Sequence, residues 1–156
     1  MMQTNSDTII IADTSCLILL SKIDEIGLLK SLAHHVYITS TVQSEFGSSL
    51  PDWLIVKDPN QTPFQILLEK EIDAGEISAI LLALETPSSI LVIDDLKGRK
   101  IAERLKLQFV GTLGLLLKAK RIGLIPQLVP ILDKIRKTNF RFSNQIIEAL
   151  HKAAGE

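Results

Sequence analysis

The sequence predicts an α/β fold, a three-layer α/β/α sandwich around a central, mostly parallel sheet of about five strands. Three observations lead there. Short apolar, β-branched runs recur along the chain as TIIIA, VYIT, LIVK and ILVI, and such runs read as buried strands. Helical patterns separate them, and strands alternating with helices imply parallel pairing under helices on both faces. At 156 residues with 46% apolar side chains, the chain is long enough to bury a core without staples.

Each element follows from local chemistry. Residues 8–12 form the first strand, which stops at Asp13. Asp13-Thr14-Ser15 is a good helix start and leads into CLILLSKI. Residues 24–32 are helical, with Leu28, Leu29 and Leu32 on one face. Residues 36–39 are the second strand, and residues 40–46 a short helix opened by capping residues and carrying Glu45. Pro51 breaks the chain before a short edge strand at 54–57. Residues 62–71 and 74–85 are amphipathic helices, and residues 90–93 the fourth strand. A helix at 98–105 and a short strand at 108–110 follow, the latter ended by Gly111. Thr112 caps a helix to Arg121, Pro126 begins one to Lys137, and Ser143 one to Lys152. Residues 1–156 read as one domain, with residues 126–156 as a C-terminal helical extension anchored by Phe140 and Phe142.

Composition narrows the function. The polar MMQTNSD start lacks the charged and apolar regions of a secretory signal, and no apolar run approaches the roughly 18 residues that cross a bilayer. A cytoplasmic protein with no membrane partner is expected. The single Cys16 has no partner for an internal disulfide. With only 4% aromatic residues, a base-stacking platform is disfavoured and backbone-directed binding favoured. The net charge of −1 hides an asymmetry: from Lys97 onward there are 13 Lys and Arg against 4 Asp and Glu, and before it 4 against 14. A basic half suits phosphates, and an acidic half holds cations.

The acids fall at telling places. Parallel sheets gather functional groups at the carboxyl ends of their strands. Asp13 ends the first strand, and the adjacent Asp94 and Asp95 end the fourth. If those strands are neighbours, three carboxylates crowd one spot. Glu45 lies one turn into the helix after the second strand. Glu76 lies in the first turn of AGEISAILLALE, at the border of the face made by Ala79, Ile80 and Ala83, although a Glu there also complements the helix dipole. Clustered carboxylates repel unless cations neutralise them, and an all-oxygen cluster favours Mg²⁺ or Mn²⁺. Such ions activate water for displacement at phosphorus. Acid cluster plus basic half points to phosphodiester hydrolysis. A cation between Asp13 and the Asp94-Asp95 pair would let the two neighbours coexist. A phosphoacceptor receiver-like domain fits less well, because it places its acidic pair after the first strand. A haloacid-dehalogenase-type phosphatase wants an Asp at position 15, which is Ser.

The layout resembles the PIN-domain family, the metal-dependent ribonucleases that include VapC-type toxins. The matching stretches are IIADTS (10–15), TSTVQSEF (39–46), DAGEISAILLALE (73–85), ILVIDDLKGRKIAERL (90–105) and FVGTLGLLLKAKRIGLI (109–125). The resemblance implies divalent-metal RNA cleavage with Asp13, Glu45, Glu76, Asp94 and Asp95 as the catalytic acids. Of these, Asp13, Glu76 and Asp95 would hold Mg²⁺ or Mn²⁺, and Asp94 would be an extra ligand or a supporting acid. Glu76 stands where many members have Asp. Ser15 and Thr112 match hydroxyl residues beside the site. Lys97, Arg99, Lys100 and Arg104 would guide the RNA backbone, while Arg99 has an equal alternative in pairing with Asp95 along the helix. The family also implies a homodimer and, for a toxin, an antitoxin partner that covers the acidic cleft. A degenerate module that binds RNA or protein without cutting is the alternative.

Overall fold

The strand β1 (Ile9–Ala12) lies at the middle of the sheet because both of its faces are apolar. Side chains alternate across a strand, so Ile10 and Ala12 enter one core and Ile11 the other. The computed structural model describes residues 8–60 and 72–156. Within them, β1 pairs in parallel with β2 (His35–Ile38) and β4 (Ser89–Val92), β2 pairs with β3 (Leu54–Val56), and β4 with β5 (Phe109–Val110). The five-stranded sheet is parallel throughout, in the order β3-β2-β1-β4-β5.

Helices cover both faces. On one side, Ile10, Ala12, Val36, Ile38 and Val92 pack against α1 (Thr14–Lys22), α2 (Gly27–Leu32), α6 (Thr112–Arg121) and α7 (Val129–Arg136) through Leu17, Leu29, Leu116 and Leu132. On the other, Ile11, Leu91 and Ile93 meet α4 (Ala74–Glu85) and α5 (Leu96–Arg104) through Ile80, Ala83, Ile101 and Ala102. Two covered faces explain why β1 and β4 read as unbroken apolar runs. The remaining helices among the described residues are α3 (Ser40–Phe46) and α8 (Asn144–Ala154), the latter packed on α6. No described helix is long and apolar enough to cross a membrane.

Several boundaries differ from expectation for identifiable reasons. The helix expected at 62–71 lies outside the described residues. The helix α2 starts at Gly27 rather than at 24, because Asp24 takes φ 57°, a left-handed conformation that no right-handed helix includes. The helix α5 starts at Leu96, ahead of Gly98, because Asp95 caps it. The helix α7 starts at Val129, not Pro126, since Pro130 has no N–H to give the Pro126 carbonyl and its ring would clash there. Thr39 leaves β2 to cap α3, its hydroxyl accepting from the Val42 N–H at 3.1 Å. The helix α3 ends at Gly47, whose φ of 74° suits a residue without Cβ.

From β1 the chain winds outward through β2 to β3, then returns to the opposite side of β1 for β4 and β5. Strand order therefore reverses between β1 and β4, and the crevice at their carboxyl ends is where such sheets bind ligands.

Candidate functional site

Asp13 emerges at that reversal. Ala12 is in register with Val92, and the Asp13 N–H donates to the Val92 carbonyl at 3.1 Å. Asp13 holds the capping position of α1, yet its side chain caps nothing. It is 3% exposed, and its Oδ1 has no hydrogen-bond partner. Burial pushes its pKa up from 3.8 to about 7 against the pull of a Thr14 backbone hydrogen bond, with repulsion from Asp73, Glu45 and Asp94 adding to the rise. Glu76, in the first turn of α4, repeats the pattern. It is 8% exposed with Oε2 unpartnered. Its pKa rises to about 8, first through burial and then through Asp73, Asp13 and Asp95. Burying a lone carboxylate is expensive, and the group neutralises or finds a counter-charge.

The adjacent Asp94 and Asp95 are drawn apart by two helices. Asp94 is half-buried and accepts twice from Thr112, from the N–H at 2.8 Å and from the hydroxyl at 2.6 Å. Thr112 is therefore not the cap expected of it. Gly111 occupies that position, and the fully buried Thr112 is the first residue of α6. A Cβ at Gly111 would come within 2.9 Å of Asp94 Oδ1, so a small residue is needed there. Asp95 is exposed and caps α5, its Oδ2 accepting from the Gly98 N–H at 3.1 Å. Each acid thus meets the positive end of a different helix.

Glu45 is exposed at the end of α3 and accepts from the Thr14 hydroxyl at 2.6 Å. Its carboxylate lies against Gly75, where a Cβ would overlap it. The Ser78 hydroxyl donates to the Gly75 carbonyl at 2.7 Å and lies 2.6 Å from the Thr39 hydroxyl, tying α4 to the start of α3. Ser15 is half-buried, and it is Thr14 that supplies the hydroxyl meeting Glu45. Thr14 was hidden in the sequence because Asp-Thr-Ser has a sufficient reading as a helix start. Asp73 was also missed. It caps α4, accepting from the Glu76 N–H at 2.9 Å. Its signal was an Asp followed three residues later by Glu, the spacing of a capping box.

Of the basic residues, Lys97, Lys100 and Arg104 are exposed, on one outward face of α5. Arg99 does not pair with Asp95. Its guanidinium lies over the Phe109 ring, 5.5 Å from the centroid, and beside Gly111. Cys16 is fully buried, and burial lifts its thiol to about 12, with a Thr112 hydrogen bond opposing and Asp94 and Asp13 adding. It stays protonated and is no ligand.

These residues fit a hard divalent cation of limited protein coordination. Among the described residues, no group of three or more His, Cys, Asp or Glu is arranged to hold a metal ion by itself. Two buried carboxylate oxygens, on Asp13 and Glu76, nevertheless lack any partner. Mg²⁺ characteristically takes one or two carboxylates and keeps several waters, so both observations suit such an ion.

Residues 9–156 match the model of the family DUF3368, described as a PIN domain. No curated protein matches the chain.

Proposed function

Because the chain belongs to the PIN-domain family, whose members are generally nucleases, we propose that it is a divalent-metal-dependent ribonuclease hydrolysing RNA phosphodiester bonds. The observation that carries this reading is the pair of buried, unpartnered oxygens, Asp13 Oδ1 and Glu76 Oε2, at the strand-order reversal. They would hold Mg²⁺ or Mn²⁺, with Asp95 beside Glu76 and Asp94 beside Asp13 contributing charge. Such an ion, when bound, makes its water more acidic and offsets charge on the phosphate.

The chain's own residues do the rest. Thr112 fixes Asp94 by two hydrogen bonds, one to each carboxylate oxygen, so its position is set before any ligand binds. Glu45, steadied by Thr14, accepts the proton that the attacking water loses as its oxygen bonds to phosphorus, while the bond from phosphorus to the leaving ribose oxygen breaks and that oxygen takes a proton from solvent. Lys97, Lys100 and Arg104 on α5 steer the RNA backbone toward the acids, and Arg99 sits between Phe109 and the Gly111 edge of the crevice. The same reading makes the protein the toxin of a toxin–antitoxin pair, working as a homodimer, with the acidic crevice as the surface a basic antitoxin segment would cover.

The test is cleavage of labelled single-stranded and hairpin RNAs with Mn²⁺, Mg²⁺ or EDTA, using wild type and Asp13→Asn from identical preparations. Metal-dependent cleavage that disappears in the variant supports the enzyme. Equal cleavage by both proteins, or cleavage that persists in EDTA, overturns it.

A further inference from the structure

The helices α6 and α8 leave a cavity of about 490 Å³ between them. Its body is apolar, with Leu117 on α6, Phe142 just before α8, and Ile146, Ala149 and Ala153 on α8. Gly114, also on its wall, has no room for a Cβ, which would come within 2.7 Å of Val110 Cγ2. Ile146 is 47% exposed, an apolar side chain left open to water. Among the described residues, the only polar side chains lining the cavity are Asp94 and Arg99. Both approach the place a Cβ on Gly111 would take, Asp94 Oδ1 at 2.9 Å and Arg99 Nη1 at 3.7 Å, yet no ion pair joins them. The half-buried Arg99 guanidinium rests on the Phe109 ring and makes no hydrogen bond or ion pair with the described residues. A guanidinium carries five donors in a fixed fork, and holding them away from an acceptor in a half-buried place is costly.

Asp94 ties this cavity to the crevice. It follows β4, whose pairing with β1 brings it to the same sheet end as Asp13, and it lines the cavity as well. An occupant of the cavity is therefore a neighbour of whatever the acids hold. We infer that the cavity takes one unpaired nucleobase of the RNA, from a nucleotide next to the scissile phosphate, with Arg99 meeting a phosphate of that nucleotide. This rests on the ribonuclease reading above and adds to it a subsite for the base. RNA brings both of the groups that the cavity lacks, a flat ring for the apolar body and an anion for the guanidinium. An apolar face of a second copy would cover the cavity but give Arg99 no acceptor. With 4% aromatic residues the chain has no stacking platform, but one enclosed base needs only one ring, and Phe142 provides it. An apolar cavity with a few placed polar groups is the usual form of a small-ligand site.

The experiment separates the base from the backbone. Fluorescence anisotropy follows binding of short labelled oligomers of equal length and charge, namely oligo-adenylate, oligo-uridylate and an abasic ribose-phosphate chain. It is done in Ca²⁺ at low temperature, with the RNA checked for integrity on gels. The full chain is compared as wild type, Ala149→Leu, Phe142→Leu and Gln145→Leu, each melted and each sedimented. Ala149 is exposed and lines the cavity, so Leu there fills it without disturbing the core, while Gln145 is exposed on α8 outside the lining. Wild type should bind the better base-bearing oligomer at least tenfold tighter than the abasic chain, the scale of one stacked base. In Ala149→Leu that ratio should fall to within twofold, with affinity for the abasic chain within twofold of wild type. Phe142→Leu should lower the ratio, and Gln145→Leu should keep it. Equal wild-type affinity for base-bearing and abasic chains would overturn the inference alone. A full ratio in Ala149→Leu, or an equal loss in Gln145→Leu, would overturn it too. A wild-type dimer that Ala149→Leu splits would give the cavity to a second copy and overturn it likewise. Absence of binding to every oligomer by wild type would overturn the ribonuclease reading, and the inference with it. Should Phe142→Leu melt early, Ala149→Leu alone decides, since Leu is a good helix former at an exposed position.

Discussion

Asp13→Asn preserves the shape of the side chain and removes a charge that the fold holds at a cost. In the unfolded chain this carboxyl ionises near 3.8, and in the fold near about 7, because it is buried and faces Asp73, Glu45 and Asp94. Between those values the folded state keeps a proton that the unfolded state has released. Stability falls with rising pH wherever the folded state binds more protons. Through Asp13 alone, metal-free wild type should therefore lose stability from about pH 4 to about pH 7 and level off above that. At about 1.4 kcal/mol per pH unit, the whole interval corresponds to about 4 kcal/mol. Asn avoids that penalty but introduces a buried amide without partners, costing about 2 kcal/mol. The net gain near pH 8 is then about 2 kcal/mol, or about 4–8 °C in Tm for a chain of this size. Glu76 shifts in the same direction and loses one repelling neighbour in the variant, which adds to the gain. The assay is thermal unfolding by circular dichroism in EDTA, from about pH 5 to about pH 8, for both proteins. Wild type should melt progressively lower across the series, the variant should change less, and the curves should cross. Saturating Mn²⁺ should restore the wild-type advantage, since a ligand of the folded state alone stabilises it. A wild-type midpoint that holds level or climbs across this range, or a variant that melts below wild type at its alkaline end, would refute the reasoning.

Gly75→Ala should separate stability from activity. The new Cβ displaces the Glu45 carboxylate from its place beside Thr14, while Ala favours a helix by up to about 1 kcal/mol over Gly. Melting within about 1 kcal/mol of wild type together with cleavage reduced at least tenfold is expected, and unchanged cleavage would show that the Glu45 position is immaterial. Thr112→Val removes the hydroxyl that donates to Asp94 and should cost about 1–3 kcal/mol by urea unfolding, with Thr112→Ser recovering most of it. Replacing Lys97 and Lys100 together by Ala should flatten the log–log salt dependence of single-stranded RNA binding by about 1.4 if each meets one phosphate. An unchanged slope in fluorescence anisotropy would remove α5 from the RNA path.

What could be read in the sequence depended on how many causes act on a residue. The strands β1 and β4 were legible because burial on both faces leaves only apolar residues, and the acids that stop them, Asp13 and Asp94, stand out by contrast. Helix starts were less legible, because a cap or a proline acts through a neighbour. Asp95 brings α5 forward to Leu96, and Pro130 delays α7 to Val129. Strand order cannot be read from local pattern, so the pairing of β1 with β4, which brings Asp13 beside Asp94, was only a condition until the fold met it. Asp73 and Thr14 escaped notice for the opposite reason. Each has a satisfactory local role, Asp73 as a cap and Thr14 as a first-turn residue, and at Thr14 that role conceals a contact with Glu45 made across the fold.

The adjacent Asp94 and Asp95 show how the balance of charge is arranged. Read along the chain, two neighbouring acids call for a cation between them. In the fold each is compensated separately, Asp94 by two Thr112 donors at the start of α6 and Asp95 by the Gly98 N–H at the start of α5. Each of these acids thus has donors of its own in the fold. The uncompensated groups are the other two, Asp13 and Glu76, each buried and each with an oxygen facing no donor. The demand for positive charge therefore lies between the end of β1 and the first turn of α4. There, the two flanking acids add repulsion, Asp94 at Asp13 and Asp95 at Glu76. A substitution that relieves the demand should stabilise the empty fold, and one that frees Asp94 or Asp95 from its helix should not. That difference in sign, measured in EDTA on Asp13→Asn and Thr112→Val side by side, distinguishes this arrangement from a diffuse acidic patch in which every lost charge helps alike.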